Sequence, residues 1–92
     1  IWKEAKTKKN KDVFNPSGMA IHPQTGEIYI VEGTHPKLLI MDRKGNIKTL
    51  HPLQSSSFQQ PEGITFSPSG ETYISNEGGK GKGNILLVNL YP

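Results

Sequence analysis

The sequence contains no cysteine, so neither a disulfide nor a thiolate metal site is available to it. Its longest uninterrupted apolar run is four residues, as in Leu38–Met41, whereas a helix that spans a bilayer needs about 20. Hydrophobic residues make up only 33% of the 92 positions, so any core must be small. These shortages exclude a disulfide-stapled scaffold, a thiolate zinc site and a membrane-spanning helix.

Positive charge is concentrated near the N-terminus. Five of the 11 basic side chains fall in the first eleven residues, namely Lys3, Lys6, Lys8, Lys9 and Lys11. These lysines are not interleaved with aromatic side chains, as a nucleic-acid surface would require, and the rest of the chain is close to neutral. The run is typical of a solvated loop, with contact to an anionic surface as the alternative. We therefore expect no nucleic-acid partner.

Glycine and proline divide the chain into short apolar stretches, which is typical of β-structure. The stretches are 19–22, 27–32, 37–42 and 46–50, and compact turns separate them. Residues 27–32 (EIYIVE) alternate around β-branched and aromatic side chains. No segment of 11 residues has the apolar spacing of an amphipathic helix. The sequence predicts an all-β fold.

The second half of the chain repeats the first. Residues 14–23 align with 58–68, and their shared glycine and final proline lie 45 positions apart. Residues 26–30 (GEIYI) then align with 70–74 (GETYI) at an offset of 44. A period near 44 with four strands per unit is the spacing of a propeller blade. The predicted architecture is a β-propeller fragment of about two four-stranded antiparallel blades.

The repeat also sets the predicted boundaries. The third strands, Leu38–Ile40 and Leu86–Val88, align at an offset of 48 after a glycine–lysine insertion. The predicted divisions are a polar basic segment ending a preceding blade (1–13), a blade (14–50), an inter-blade linker (51–57) and an incomplete blade (58–92).

Two blades leave two faces uncovered, because a blade buries its faces only against its neighbours. The chain also starts at Ile1 without an initiator methionine, and Ile1–Glu4 lacks the pattern of a signal peptide. We therefore expect a piece of a longer protein whose remaining blades cover these faces. The alternative is a homo-oligomer in which copies of the chain close the ring.

Residues 16–30 (PSGMAIHPQTGEIYI) resemble the blade signature of NHL-type propellers. Residues 60–66 (QPEGITF) and 73–78 (YISNEG), together with Leu38–Asp42, resemble the SdiA-regulated family of bacterial envelope propellers. The resemblance covers residues 13–90. It implies a six-bladed propeller in the periplasm or cell envelope that acts as a non-catalytic binding or scaffold module.

The resemblance also implies a metal site. Related propellers of the gluconolactonase and regucalcin type hold a metal in the central channel with a Glu-Gly at the first inner strand, which Glu62-Gly63 matches. Asn76 and Glu77 follow the second strand of the same blade and are predicted to reach the same rim, and Glu32 is the positional partner of Asn76. Such oxygen donors suit Ca²⁺, which takes about 6–8 oxygen ligands.

Each of these residues has a structural alternative. Glu62 could accept backbone hydrogen bonds and lock its turn, while Asn76 and Glu77 could tie the glycine-rich loop that follows them. Two further functions compete with the scaffold: a metal-dependent lactonase or esterase of the gluconolactonase type, and a protein-interaction platform on the propeller rim. A lactonase would need ligands from other blades.

The remaining polar residues point to no catalytic site. His22, His35 and His51 each precede a proline, and their spacing matches no zinc motif. The serines lack the strained elbow that positions a nucleophile. Residues 78–83 (GGKGKG) lack the Ser or Thr of a phosphate-binding loop. We predict no catalytic residue in this chain and leave open whether the parent protein is an enzyme.

Overall fold

The computed structural model describes residues 15–78 and 81–89, which form seven β-strands and no helix. The strands are β1 (Pro16–Ile21), β2 (Ile28–Glu32), β3 (Lys37–Met41), β4 (Ile47–Pro52), β5 (Pro61–Phe66), β6 (Thr72–Asn76) and β7 (Asn84–Val88). Nothing in the described ranges is a helix long and apolar enough to cross a membrane. The predicted all-β class is confirmed.

The strands form two antiparallel meanders, sheet A (β1–β4) and sheet B (β5–β7). The first strand of each sheet carries a bulge at the same place, between Pro16 and Gly18 in sheet A and between Pro61 and Gly63 in sheet B. Because a bulge is a specific local feature of a strand, its recurrence at an offset of 45 residues supports the duplication. The two sheets are built alike, as consecutive propeller blades.

The hairpin turns of the two sheets also correspond. Gly26 (φ +75°) and Gly70 (φ +95°) both adopt the left-handed conformation that glycine reaches without strain. The N–H of Gly26 donates to the carbonyl of His22, and the N–H of Gly70 donates to the carbonyl of Ser67, each at 2.9 Å. Sheet B has one residue fewer in this hairpin, which accounts for the change of offset from 45 to 44.

The third strands correspond at a different offset from the predicted one. Val31 pairs with Leu38 in sheet A, while its counterpart Ser75 pairs with Ile85 in sheet B, so the offset is 47 and the predicted 48 is wrong. Residues 38–41 and 85–88 are uniformly apolar and lack the alternation that would fix the register. Aligning the third strands by residue identity shifts β7 by one residue, and this shift assigns each of its side chains to the wrong face of the sheet.

The core lies between the facing sides of the two sheets. Tyr29, Val31, Leu38 and Ile40 of sheet A form one buried cluster with Ile74 of sheet B. Partly buried side chains pack against this cluster, namely Leu53, Phe58, Ile64, Phe66 and Val88. Consecutive blades therefore bury a shared apolar layer, and this layer fixes how the ends of their strands meet.

An aromatic group closes the hairpin end of this interface. The ring of Tyr29 meets that of Phe66 edge-on, with centroids 4.8 Å apart, and the His22 ring lies 4.9 Å from Phe66. His22 also stabilises its own turn, because Nδ1 accepts hydrogen bonds from the backbone N–H groups of Gln24 (3.1 Å) and Thr25 (3.3 Å). Tyr29 therefore packs between the two sheets, whereas its counterpart Tyr73 lies on the side of sheet B that faces away from sheet A.

The predicted boundaries can be compared with the described residues only in part. The basic segment 1–13 lies outside them, as does the end of the last predicted blade at residues 90–92. β4 continues to Pro52, two residues into the predicted linker 51–57. Three strands are described for sheet B, so the complete first blade and the shorter second blade differ by one strand.

Candidate ligand-binding cleft

A cleft of about 280 Å³ lies where the two sheets meet, at the end of the sheets away from the β1–β2 and β5–β6 turns. The starts of β1 and β5 supply one side, and the turns that follow β2 and β6 supply the other. Its lining residues are Asn15, Pro16, Ser17, Gly33, Thr34, Gln60, Pro61, Glu62 and Glu77. Oxygen atoms of carboxylate, amide, hydroxyl and carbonyl groups therefore line the cleft.

Close packing of the two first strands holds the cleft together. The hydroxyl of Ser17 lies within hydrogen-bond distance of the carbonyls of Pro61 (2.8 Å) and Val31 (3.2 Å), so it links the sheets at the cleft floor. A Cβ on Gly18 would lie 2.7 Å from the carbonyl oxygen of Glu62. Only glycine leaves room for this approach, and it brings the backbone of Glu62 against β1.

The turn after β2 is fitted to the cleft in the same way. A Cβ on Gly33 would lie 2.7 Å from the carbonyl oxygen of Pro61. On the other side, the backbone N–H of Glu77 donates to the carbonyl of Gln60 at 2.9 Å. These contacts hold the backbone on both sides of Pro61, so the backbone positions of Glu62 and Glu77 are fixed at the cleft.

Glu62 and Glu77 are the two carboxylates of the cleft. Both residues are exposed. In the part of the chain that the structure describes, neither side chain makes a hydrogen bond or an ion pair with another residue. Two carboxylates without a partner give the cleft a negative potential that attracts cations. The structure brings these two predicted site residues together.

Glu32 lies elsewhere and is fully buried. Its Oε1 accepts a hydrogen bond from Lys37 Nζ at 3.1 Å, and its Oε2 accepts one from the backbone N–H of His35 at 3.4 Å. Since a buried charge is costly without a partner, this ion pair accounts for the carboxylate. Glu32 does not line the cleft.

Asn76 is also buried, with 8% of its surface exposed, and it does not line the cleft. Its side-chain Nδ2 donates to Oδ1 of Asn84 at 2.8 Å. Its own Oδ1 is buried and accepts no hydrogen bond from any residue that the structure describes. The predicted site thus divides into Glu62 and Glu77 at the cleft and Glu32 and Asn76 in cross-strand pairs.

The donor chemistry of the cleft fits a hard cation better than a soft one. The carboxylates of Glu62 and Glu77 and the amide oxygens of Asn15 and Gln60 are the ligand types that Ca²⁺ prefers. No group of three His, Cys, Asp or Glu side chains that could hold a metal occurs within residues 15–78 and 81–89. Two carboxylates leave most of the 6–8 positions of Ca²⁺ to amide, backbone or water oxygens.

Sequence reasoning missed the neutral half of the cleft. Asn15, Thr34 and Gln60 line it, but polar residues beside proline and glycine read as ordinary turn formers. The repeat did contain a signal, because Ser17 occupies the position of Glu62 in the first blade and links the sheets through its hydroxyl. Because the first blade has Ser17 where the second blade has Glu62, the carboxylate of the cleft is not repeated in the first blade.

The carboxyl groups with a lowered pKa lie in other turns. The backbone N–H of Asn46 donates to Asp42 and holds its pKa below the ordinary value, with help from the Asn46 side chain and the backbone of Lys44. A hydrogen bond from the side chain of Lys48 lowers the pKa of Glu27. The bonds to Asp42 lie within the turn between β3 and β4, and the Lys48–Glu27 contact joins β4 to the residue before β2; neither carboxyl lines the cleft.

Comparison with known proteins adds no family. No family model, no curated protein and no solved structure matches this chain. The resemblance to the SdiA-regulated family therefore stays a prediction.

Proposed function

We propose that this chain belongs to a non-catalytic binding or scaffold propeller that takes a hard cation, Ca²⁺, at the cleft between its two blades. The observation that carries the proposal is the presence on one cleft of Glu62 and Glu77, whose carboxylates make no hydrogen bond or ion pair with any described residue, together with the amide side chains of Asn15 and Gln60. Two carboxylates that line one cleft give it a negative potential, and a bound cation would offset that potential. By resemblance to the SdiA-regulated family, we propose the bacterial periplasm or cell envelope as its location.

Calorimetric titration of the chain with CaCl₂ tests the proposal. We expect one Ca²⁺ per chain, with affinity reduced at least tenfold in Glu62→Gln and in Glu77→Gln. Glu71→Gln is the matched control, since Glu71 is an exposed glutamate in the opposite hairpin. An affinity that is equal in all four proteins would show that the cleft does not select the cation.

The competing hydrolase function uses the same cleft and needs its own measurement. We expect no lactone hydrolysis above the rate in buffer when the chain is assayed with Ca²⁺. Hydrolysis that disappears in Glu62→Gln but persists in Glu71→Gln would replace the scaffold function with a metal-dependent lactonase of the gluconolactonase type.

A further inference from the structure

The side of sheet A that faces away from sheet B carries an apolar surface whose centre is buried. Cross-strand pairing places one row of side chains across all four strands, namely Met19, Ile30, Leu39 and Leu50. Because cross-strand partners share a face, this row belongs to one surface, which we call the outer A face. Ile30 and Leu39 at the centre of the row are each 5% exposed, whereas Met19 at one end is 65% exposed.

Sheet B has a corresponding surface on the side that faces away from sheet A, which we call the outer B face. Thr65, Tyr73 and Leu87 form one row of it by cross-strand pairing. Tyr73 lies at the centre of this row and is only partly buried, and Leu87 is 59% exposed. Neighbours within a sheet therefore shield a central side chain only in part, and the deeper burial of Ile30 and Leu39 requires a cover.

The described strands do not supply this cover. Within residues 15–78 and 81–89, the partly buried hydrophobic side chains that pack against Ile30 and Leu39 are Ile28 and Met41, which lie on the same two strands. The contacts between the two sheets run from β5 to β1 and β2, and the core that they enclose lies on the opposite side of sheet A. The cover of the outer A face therefore comes from outside the described residues.

The N-terminal segment of the chain is placed to reach this face. Residues 1–14, 79–80 and 90–92 lie outside the described residues, and the two short pieces adjoin strands of sheet B. Segment 1–14 leads directly into β1, an edge strand of sheet A. An extended segment of this length reaches about 46 Å, whereas four strands are about 14 Å across, so it is long enough to cross the face.

The repeat indicates which residue of the segment makes the contact. Phe58 precedes β5 and packs against the buried cluster that contains Ile74. Ile74 is 0% exposed, and Ile30 holds the same position in sheet A. Phe14 holds the position of Phe58 ahead of β1. Segment 1–14 thus contains, for Ile30, the counterpart of the aromatic residue that packs with Ile74.

We propose that the N-terminal segment, residues 1–14, binds the outer A face of its own chain, with the ring of Phe14 over Ile30 and Leu39. Burial of an aromatic ring on two aliphatic side chains supplies the free energy of this contact. The lysines of the segment keep their charged ends in water. The inference does not depend on a cation at the cleft, and the calcium titration tests that separately.

A nitroxide attached to the variant Lys11→Cys tests the proposal in the full chain, which contains no other cysteine. Lys11 holds the position of Ser55, which is exposed, so the label should leave the contact intact. We expect the methyl NMR signals of Met19 and Leu50 to lose most of their intensity while the nitroxide is oxidised and to recover it on reduction. The signal of Leu87 on the outer B face is the control and should keep its intensity. Equal loss at all three residues, or no loss at Met19 and Leu50, overturns the proposal.

A mixed sample distinguishes binding within one chain from binding between two copies. One chain carries isotope-labelled methyl groups without a nitroxide, and the other carries the nitroxide without isotope labels. We expect no loss of intensity in this mixture, because each segment binds its own chain. A loss as large as in the chain that carries both labels would show that the segment binds a second copy, and it overturns the proposal.

The stated contact of Phe14 is tested by its dependence on Leu39. Phe14→Ala should raise the equilibrium constant for unfolding at least about tenfold, as burial of a phenylalanine side chain implies. The same change should have a much smaller effect in Leu39→Ala, where the partner is gone. Leu38→Ala is the matched control, since Leu38 is the neighbouring buried leucine on the opposite side of β3, and there the full effect should persist. Equal effects in the two backgrounds overturn the contact, and if either leucine variant fails to fold, the nitroxide measurement decides.

Discussion

Glu32 and Asn76 hold the same position in the two blades, and each is bound to the residue directly across from it on the third strand. Glu32 pairs with Lys37 as an ion pair, and Asn76 pairs with Asn84 through an amide hydrogen bond. The two blades thus use a charged pair and a neutral pair for one task. That task is to give a partner to the buried polar side chain at the end of the second strand, and in the second blade the pair leaves Oδ1 of Asn76 without a hydrogen bond from any described residue.

Removing the lysine of the Glu32–Lys37 ion pair should strongly destabilise the fold. Lys37→Met leaves the fully buried carboxylate of Glu32 without its ion-pair partner, and we expect a loss of about 3 kcal/mol in the free energy of unfolding. The double variant Glu32→Asn with Lys37→Asn copies the pair of the second blade and should recover at least half of that loss. Urea denaturation measures both. A neutral effect of Lys37→Met would show that Lys37 does not support Glu32.

Much of the fold could be predicted from the sequence because its signals are local. Alternation in residues 27–32 and the glycine–proline turns predicted strands that the structure confirms. The register of β7 could not be predicted, because residues 85–88 are apolar throughout and offer no alternating pattern. The bulges at Pro16 and Pro61 also escaped prediction, since nothing in their composition distinguishes a bulge from a plain strand start.

The candidate site was predicted only in part for a related reason. Glu62 was placed by its position before an inner strand, and Glu77 by its position after the second strand of the same blade. Glu32 and Asn76 occupy similar places along the chain, but their contacts depend on which residue faces them on the third strand. Cross-strand partners follow from the register of the strands. The predicted offset of β7 is wrong by one residue, so the pairing of Asn76 with Asn84 could not be predicted.

The fit of Gly33 against Pro61 should show as a steric cost. Gly33→Ala places a Cβ 2.7 Å from the carbonyl oxygen of Pro61, where backbone must shift, and we expect a loss of about 1–3 kcal/mol in the free energy of unfolding. Gly81→Ala is the matched control, since the nearest atom to its Cβ is at an ordinary distance of 3.7 Å. Thermal unfolding compares the two. Equal effects would mean that loss of glycine flexibility, and not the contact, sets the result.

Two equivalent tyrosines should differ widely in their contribution to stability. Tyr29 is 2% exposed and packs against Phe66 between the sheets, so Tyr29→Ala should cost about 3–5 kcal/mol. Tyr73 holds the same position on the outer B face and is only partly buried, so Tyr73→Ala should cost about 1 kcal/mol or less in the monomer. Urea denaturation at low micromolar concentration keeps the comparison to single chains. Similar losses at both sites would contradict the conclusion that the contact between the two sheets is what makes Tyr29 important for stability.

Acid should weaken the protein through Asp42 and Glu27. Both carboxyls have a pKa below the ordinary value in the folded chain, Asp42 because the Asn46 N–H donates to it and Glu27 because Lys48 does. A group whose pKa is lowered by folding stabilises the fold above its unfolded pKa of about 4. That stabilisation is lost as the pH falls through the lower, folded pKa. We therefore expect urea midpoints to be steady from pH 7 to about pH 5 and to fall below about pH 4.

Variants separate the contributions of Asp42 and Glu27 to the loss of stability at low pH. Asp42→Asn should make the fall below about pH 4 shallower, because the turn then holds no carboxylate to protonate. Lys48→Met should do the same for Glu27 by removing the hydrogen bond that lowers its pKa. Salt separates them further: 1 M NaCl screens the exposed Lys48–Glu27 ion pair, whereas the backbone hydrogen bonds to Asp42 persist. Midpoints that fall equally in all three proteins at both salt concentrations would place the acid-sensitive groups elsewhere in the chain.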